Sequence, residues 1–401
     1  MIENRLKNKY NNAKWWPDAV CPKIVDREWA WRSCKKECFD MEVTNVFFPG
    51  YSIASGLSTY EKLGEVCAKY GKKAVVIGGE HALNAMRPVL TEAVKGTNIE
   101  IVGFEWYGGV ASYENGERLL GLDTVKEADM IFACGGGKAI DTCKYVSMQS
   151  GKPFFTFPTI AATCAATTAI AVMYYPNGVQ KDVFVGPRPT SHCFINLEVI
   201  ANAPEVYLWA GIGDTLAKYT EVPFSARGLQ LAHRDELAVV MSEMTGTPLL
   251  KYGTKAMQDV KNHQSSFELE QVVLAIILTT GLVSYLIDVN LNSGMAHALF
   301  YGMTVLPQIE ERHLHGEVVS YGVLCMLMMD KQMDELEKIY KFMKSINLPT
   351  KLADIEVKED ELEPVLDSAI TKYDIDVSPY KITKELMKQA ILDLEEYNKT
   401  H

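Results

Sequence analysis

Between residues 45 and about 200 the chain alternates in texture: short apolar runs, several ending in glycines, are followed by residues at helical spacing. KKAVVIGG (72–79) and ADMIFACGGG (128–137) are apolar runs that end in glycines; HALNAMRPVLTEAVKG and KAIDTCKYVSMQS follow them with helical periodicity. IEIVGFEW (99–106) and PFFTFPT (153–159) read as further strands, with ENGERLLGLDTVKEA as a helix between the second and third runs. Strands that alternate with helices in this way pair in parallel, because each helix returns the chain across the sheet. Both faces of the sheet are then covered.

After about residue 200 the strand signal stops. PEVYLWAGIGDTLAKYTEV, DELAVVMSEM, FELEQVVLAIILTTGLVSYLI, GEVVSYGVLCMLMMDKQMDELEKIYKFMKSI and KITKELMKQAILDLEEYN all carry helical patterns. The sequence therefore predicts an appended segment over 1–44, an α/β domain with a parallel sheet over 45–200, and an all-α domain over 201–401. No internal repeat is present.

Charge and cysteine usage narrow the setting. The net charge is −11, which argues against nucleic acid or an anionic membrane as partner, since both require a basic face. The N-terminus lacks the apolar core of a signal peptide. VVLAIILTTGLVSYLI (272–287) falls short of the roughly 20 residues of a spanning helix, and Glu270 and Asp288 flank it. A helix inside a soluble bundle is expected there. The 9 cysteines form no C-x-x-C pair, which predicts free thiols and a cytoplasmic protein.

Three glycine or hydroxyl-rich turns are candidate ligand contacts. ACGGGKAIDT (133–142) joins a strand to a helix, where Gly135, Gly136 and Gly137 let a pyrophosphate approach the helix N-terminus and Lys138 adds charge. The spacing is neither Walker A nor G-x-G-x-x-G, and a structural turn accounts for it equally well. In IGGEHA (77–82), Gly79 and Glu80 stand where the adenosine ribose of a dinucleotide domain would rest, and a plain strand-ending turn is the alternative. FPTIAATCAATTAIAVMYY (157–175) suits a loop over phosphates or nicotinamide, or a packed threonine-rich segment. Asp214 in WAGIGDTLAKY and His297 in SGMAHALFYGMT are polar groups inside largely apolar helical patterns, and His315 in ERHLHGEVVSYG precedes a glycine at the start of a long apolar helix. A carboxylate with two imidazoles suits a catalytic divalent cation; satisfied core residues are the alternative.

Motifs in this order resemble the glycerol dehydrogenase branch of the iron-containing (group III) alcohol dehydrogenases. The resemblance runs from about residue 46 to the C-terminus through PGYSIASG, WYGGVASYENGERL, CGGGKAIDTCKY, FPTIAATCAATTAIAVMYY, APEVYLWAGIGDTLAKYTE, GMAHALFYGMT, HGEVVSYG and INLPTKLAD. It implies a dinucleotide-binding α/β domain, a helical domain and a site in the cleft between them. It also implies metal ligation by Asp214, His297 and His315, zinc being favoured and iron the alternative. Gly136, Gly137 and Lys138 match the pyrophosphate loop, Asp141 is a further cofactor-binding candidate, and Thr159, Thr163, Thr168, Ile170 and Tyr174 fall in the cofactor-contacting loop. The implied reaction is hydride transfer between NAD or NADP and a small alcohol or carbonyl compound, in a homo-oligomer, with the cation lowering the pKa of the substrate hydroxyl.

Three positions depart from that family's pattern. Cys164 replaces an aspartate that contacts polyols, and Phe300, followed by Tyr301, replaces a second histidine, so a less hydroxylated substrate than glycerol is expected. Gly79 replaces the aspartate of NAD-selective members, which leaves the coenzyme open between NAD, through Glu80, and NADP. Two other readings compete. A dehydroquinate synthase-like lyase shares the architecture, but it needs many arginines and lysines to grip a phosphorylated acid, and Lys218 is the single Lys or Arg in 157–175, 210–220 and 293–304. A non-catalytic dinucleotide-binding subunit would have little use for all three ligand-type residues.

Overall fold

The computed structural model describes residues 46–401. The predicted 1–44 segment, with Cys21, Cys34 and Cys38, lies outside the described residues. The strands are β1 (Gly50–Ala54), β2 (Lys73–Gly78), β3 (Glu100–Trp106), β4 (Met130–Gly135), β5 (Phe154–Pro158), β6 (Ile170–Tyr174), β7 (Gln180–Val185) and β8 (His192–Asn196). Six of them form a parallel sheet in the order β1-β8-β5-β4-β2-β3.

The central strands β4 and β5 are buried along their whole length, while the edge strand β3 is mostly half-buried. Alternate side chains divide between two faces. Val76, Phe132, Phe155, Phe157 and Phe194 pack under Leu83, Met86 and Leu90 of helix α1 (Glu80–Ala93). Val75, Ile77, Ile131, Ala133 and Ile195 face the other way and join a core that continues through the helical part. That shared core makes Phe47–His401 one compact unit.

Of the other helices with eight or more residues, α2 (Tyr113–Leu120) and α3 (Gly137–Ser150) belong to the sheet region. The rest are α4 (Glu205–Ala226), α5 (His233–Lys261), α6 (Phe267–Leu286), α7 (Met295–Met303), α8 (His315–Met329), α9 (Met333–Ser345), α10 (Leu362–Ala369) and α11 (Lys384–Thr400). Helix α4 is central and packs on α5 and α8. It is buried nearly all round, as its apolar sequence requires.

Several expectations are corrected. The stretch 114–128 forms two short helices, broken near Gly121. The segment 157–175 is not all loop: β6 pairs antiparallel with β7 through the Pro176–Gly178 turn, where Gly178 has φ +88°. The helix predicted around DELAVVMSEM runs far longer, through Gly246 and Gly253. Those glycines are notches, not stops: a Cβ at either would overlap the ring of Tyr219 or approach that of Phe342. The predicted 316–346 helix is two helices, separated where Asp330 takes both guanidinium nitrogens of Arg227 at 2.7 and 2.9 Å and Lys331 has φ +57°.

Helix α6 takes in residues 272–286 of the apolar stretch and has a mean hydropathy of 1.8 over its most apolar window, 61% of which is buried. It is long and apolar enough to cross a membrane, yet it packs against α5. A π-helical turn at Ala275–Thr279 interrupts it, and Thr167 of the sheet region donates to the carbonyl of Ile277 there.

Candidate active site

Asp214 on α4, His297 on α7 and His315 at the first turn of α8 come from three separate helices and converge. One ligand atom from each lies within 4.8 Å of the others. Asp214 Oδ1 is 3.6 Å from His297 Nε2 and 3.4 Å from His315 Nε2. Burial alone would raise the Asp214 pKa, but the two imidazoles hold it well below the carboxylate range. His315 is presented by a fixed turn: Glu317 accepts from the backbone N–H of Leu314 at 2.9 Å and pairs with His313.

Behind His297 stands a residue that sequence reasoning missed. Glu221, with a fully buried side chain, accepts from the His297 backbone N–H at 3.0 Å and holds its ring Nδ1 at 2.6 Å. This leaves Nε2 directed at Asp214. A carboxylate on the far nitrogen of a ligand imidazole orients the ring and raises its basicity. Burial pulls the His297 pKa down, but Glu221 and Asp214 outweigh it and raise it to about 10 in the metal-free protein. The raised value stabilises the metal-free fold fully below the unfolded pKa near 6.5, and that contribution is lost as pH rises through about 10. A cation must displace that proton. Loading the metal-free protein near neutral pH should release about one proton per ion, measured by calorimetry in buffers of different ionisation heat. Proton-free uptake would contradict ligation by His297.

Glycines make the convergence possible. A Cβ on Gly213 would overlap the carbonyl of Gly316, and one on Gly316 would overlap the carbonyl of Ala210 and lie 2.9 Å from Asp214 Cβ. Helix α4 and the start of α8 thus touch backbone to backbone beside the two ligand-type residues. Gly316→Ala should cost about 1–3 kcal/mol through overpacking and loosen metal retention. Thermal unfolding and metal analysis report both, and a variant equal to the parent in each would refute the tight contact.

The glycine turns lie where the strand order reverses. β2 and β4 are neighbours, with Gly78 paired to Cys134, but the chain leaves them toward opposite edges of the sheet. Such a switch point opens a crevice at the strand ends. Helices α1 and α3 both start there, with Gly79 and Gly136 as N-caps and no capping side chain. Free N–H groups and the dipole at α3 suit an anion. Gly135 has φ +135°, a conformation side chains resist. A cavity of about 1110 Å³ is lined by Gly79, Glu80, Gly135, Gly136, Gly137, Lys138, Thr159 and Thr163, and it reaches His315 and Gly316 of the helical part.

Other predicted contacts fall elsewhere. The carboxylate of Asp141 is occupied by Lys144 Nζ at 3.0 Å and the Val172 N–H at 3.1 Å. Lys144 also reaches Thr168 Oγ1 and the Ile170 carbonyl. Asp141, Thr168 and Ile170 therefore pin β6 to α3 and do not line the cavity. Tyr174 sits beside Lys138, whose Nζ lies 5.2 Å from the ring centre. Phe300 meets the His315 ring edge-on at 4.4 Å, and Tyr301 lies 6.4 Å from it, forming an aromatic wall. Cys164 is half-buried, and burial pushes its thiol up to about 11.

The sequence model of the iron-containing alcohol dehydrogenases matches residues 51–196. A glycerol dehydrogenase of Thermotoga maritima is 31% identical over 374 residues, covering 89% of this chain and 98% of that protein. The chain belongs to the iron-containing alcohol dehydrogenase family. As a member it is an enzyme, an alcohol oxidoreductase. Hydroxycarboxylate dehydrogenase A of Escherichia coli is also 31% identical, over 330 residues, with 81% of this chain and 90% of that protein covered. The crystal structure of a probable glycerol dehydrogenase from Sinorhizobium meliloti 1021 superposes with a TM-score of 0.76 at 27% identity, over 89% of this chain and 99% of that one.

Proposed function

We propose that the protein moves hydride between a nicotinamide dinucleotide and a small alcohol or carbonyl compound at a divalent metal centre. The observation that carries this is one cavity running from two uncapped helix N-termini to His315, which in turn converges with Asp214 and His297. Asp214, His297 and His315 would hold the cation, which supplies Lewis-acid polarisation of the substrate hydroxyl. Two imidazoles and a carboxylate suit zinc and ferrous iron alike; zinc is our first choice, while the family name points to iron. Gly135, Gly136, Gly137 and Lys138 bind the pyrophosphate. Glu80, in the first turn of α1, takes the adenosine ribose and repels a 2′-phosphate, which favours NAD over NADP. Cys164, Phe300 and Tyr301 line the substrate side.

The protein is chelated, reloaded with Zn²⁺ or Fe²⁺, and assayed for alcohol-dependent reduction of NAD⁺ and NADP⁺. Turnover that disappears with chelator and returns with metal is expected, with NAD⁺ preferred about tenfold or more. Turnover indifferent to chelation would refute the metal centre. Among the cavity-lining residues Lys138 is the one lysine and there is no arginine, which disfavours the lyase reading and its phosphorylated acid. A cytoplasmic homo-oligomer completes the proposal. The 6 described cysteines are all free thiols, in line with a reducing compartment, and sedimentation of the purified protein reports its assembly.

A further inference from the structure

Helix α4 carries one basic residue, Lys218, and it is buried at 6% exposure. It follows Asp214 by one turn, about 6 Å along the axis and on the same face. Its Nζ donates to the backbone carbonyl of Asn292 and, at 2.7 Å, to the Asn292 side-chain oxygen. Both acceptors are neutral. Among the described residues no carboxylate lies within ion-pair distance, although Asp214, Glu221 and Asp374 act on its charge from farther away. A lysine ammonium has three donors, so one is left over. Cys164 is close enough that the charges of Lys218 and Asp214 both act on its thiol. That thiol is neutral near pH 7 and supplies no anion. Buried cations are stable when an anion or further hydrogen bonds complete them, and here, one helical turn from Asp214, the described residues supply neither an ion-paired carboxylate nor a third acceptor.

We propose that Lys218 is a specificity-determining residue that binds the carboxylate of a short hydroxycarboxylate, and that this class of compound is the substrate. The proposal rests on the dehydrogenase reading above and names its substrate. In the reaction the carbinol C–H bond breaks and its hydride passes to the nicotinamide of NAD⁺. The O–H proton goes to solvent, and the carbinol becomes a carbonyl. Hydroxycarboxylate and NAD⁺ give oxocarboxylate, NADH and a proton, and the carboxylate on Lys218 is unchanged. The rings of Phe300 and Tyr301 beside His315 suit a short apolar tail rather than further hydroxyls.

The test compares matched pairs with the metal-loaded protein: lactate against 1,2-propanediol, and 3-hydroxybutyrate against 1,3-butanediol. The parent should favour the acid of at least one pair by about tenfold or more in kcat/KM. Lys218→Met should shrink that ratio by about 100-fold, chiefly through KM for the acid, and Lys218→Arg should restore part of it. A parent that prefers the neutral member of both pairs overturns the proposal, as does an equal loss on acid and diol in Lys218→Met. If no compound is turned over, the dehydrogenase reading is what has failed. Calorimetric binding of lactate and 3-hydroxybutyrate to the metal- and NAD-loaded protein then decides this one. Binding that Lys218→Met weakens supports a carboxylate site, and absence of binding to the parent overturns it.

Discussion

Asp214→Asn protein, dialysed against chelator and reloaded, should hold no stoichiometric metal and should oxidise alcohols roughly 1,000-fold more slowly than the parent. The reason is geometric. Asp214 Oδ1 is the atom on which both imidazoles converge, at 3.6 and 3.4 Å. An amide of the same shape keeps the packing but removes the anionic donor, and its oxygen is a far weaker ligand. With two neutral imidazoles remaining, the site lacks the charge that holds a divalent cation. Far-ultraviolet circular dichroism should be unchanged, because the fold around α4 depends on apolar burial and on Gly211 and Gly213, where added Cβ atoms would strike neighbouring backbone. Wild-type metal content in this variant would remove Asp214 from the centre.

Glu221→Gln should lower metal affinity or turnover by about 10–100-fold. Glutamine keeps the size of the side chain and can still accept from the His297 N–H. It loses the second anionic oxygen, which holds the ring Nδ1 at 2.6 Å. The His297 ring is then less basic and less firmly oriented, so Nε2 is a poorer ligand. Competition against a chelator of known affinity measures the first effect, and steady-state kinetics at saturating metal measures the second. Should both match the parent, Glu221 merely caps α7.

Much of this arrangement is legible in the linear chain, because local signals carry it. Buried apolar runs that end in glycines, each followed by helical spacing, dictate a parallel sheet with turns at its carboxyl edge. The two glycine turns at Gly79 and Gly135–Gly137 are found side by side for that reason. Asp214 stands out since a carboxylate in an apolar helix needs a partner. The polar stripe Asp214, Lys218, Glu221 at i, i+4 and i+7 was also visible, and that spacing could have drawn attention to Glu221. Where local signals mislead, tertiary packing prevails. Gly246 and Gly253 lie beyond the helical pattern of DELAVVMSEM, yet they sit inside α5 and receive the rings of Tyr219 and Phe342. Asp141 and Thr168 look like cofactor contacts but bind Lys144.

The sequence alone determined the fold class, the turns able to receive an anion and the residue types able to hold a cation, since periodicity and glycine placement are properties of neighbours along the chain. Tertiary structure alone decided which polar groups meet. His297 is aimed by Glu221 from 76 positions away, and Lys218 is held by Asn292 from 74. Distances of that kind are set by how α4, α7 and α8 pack, through backbone contacts that only glycine permits, and no local pattern encodes them.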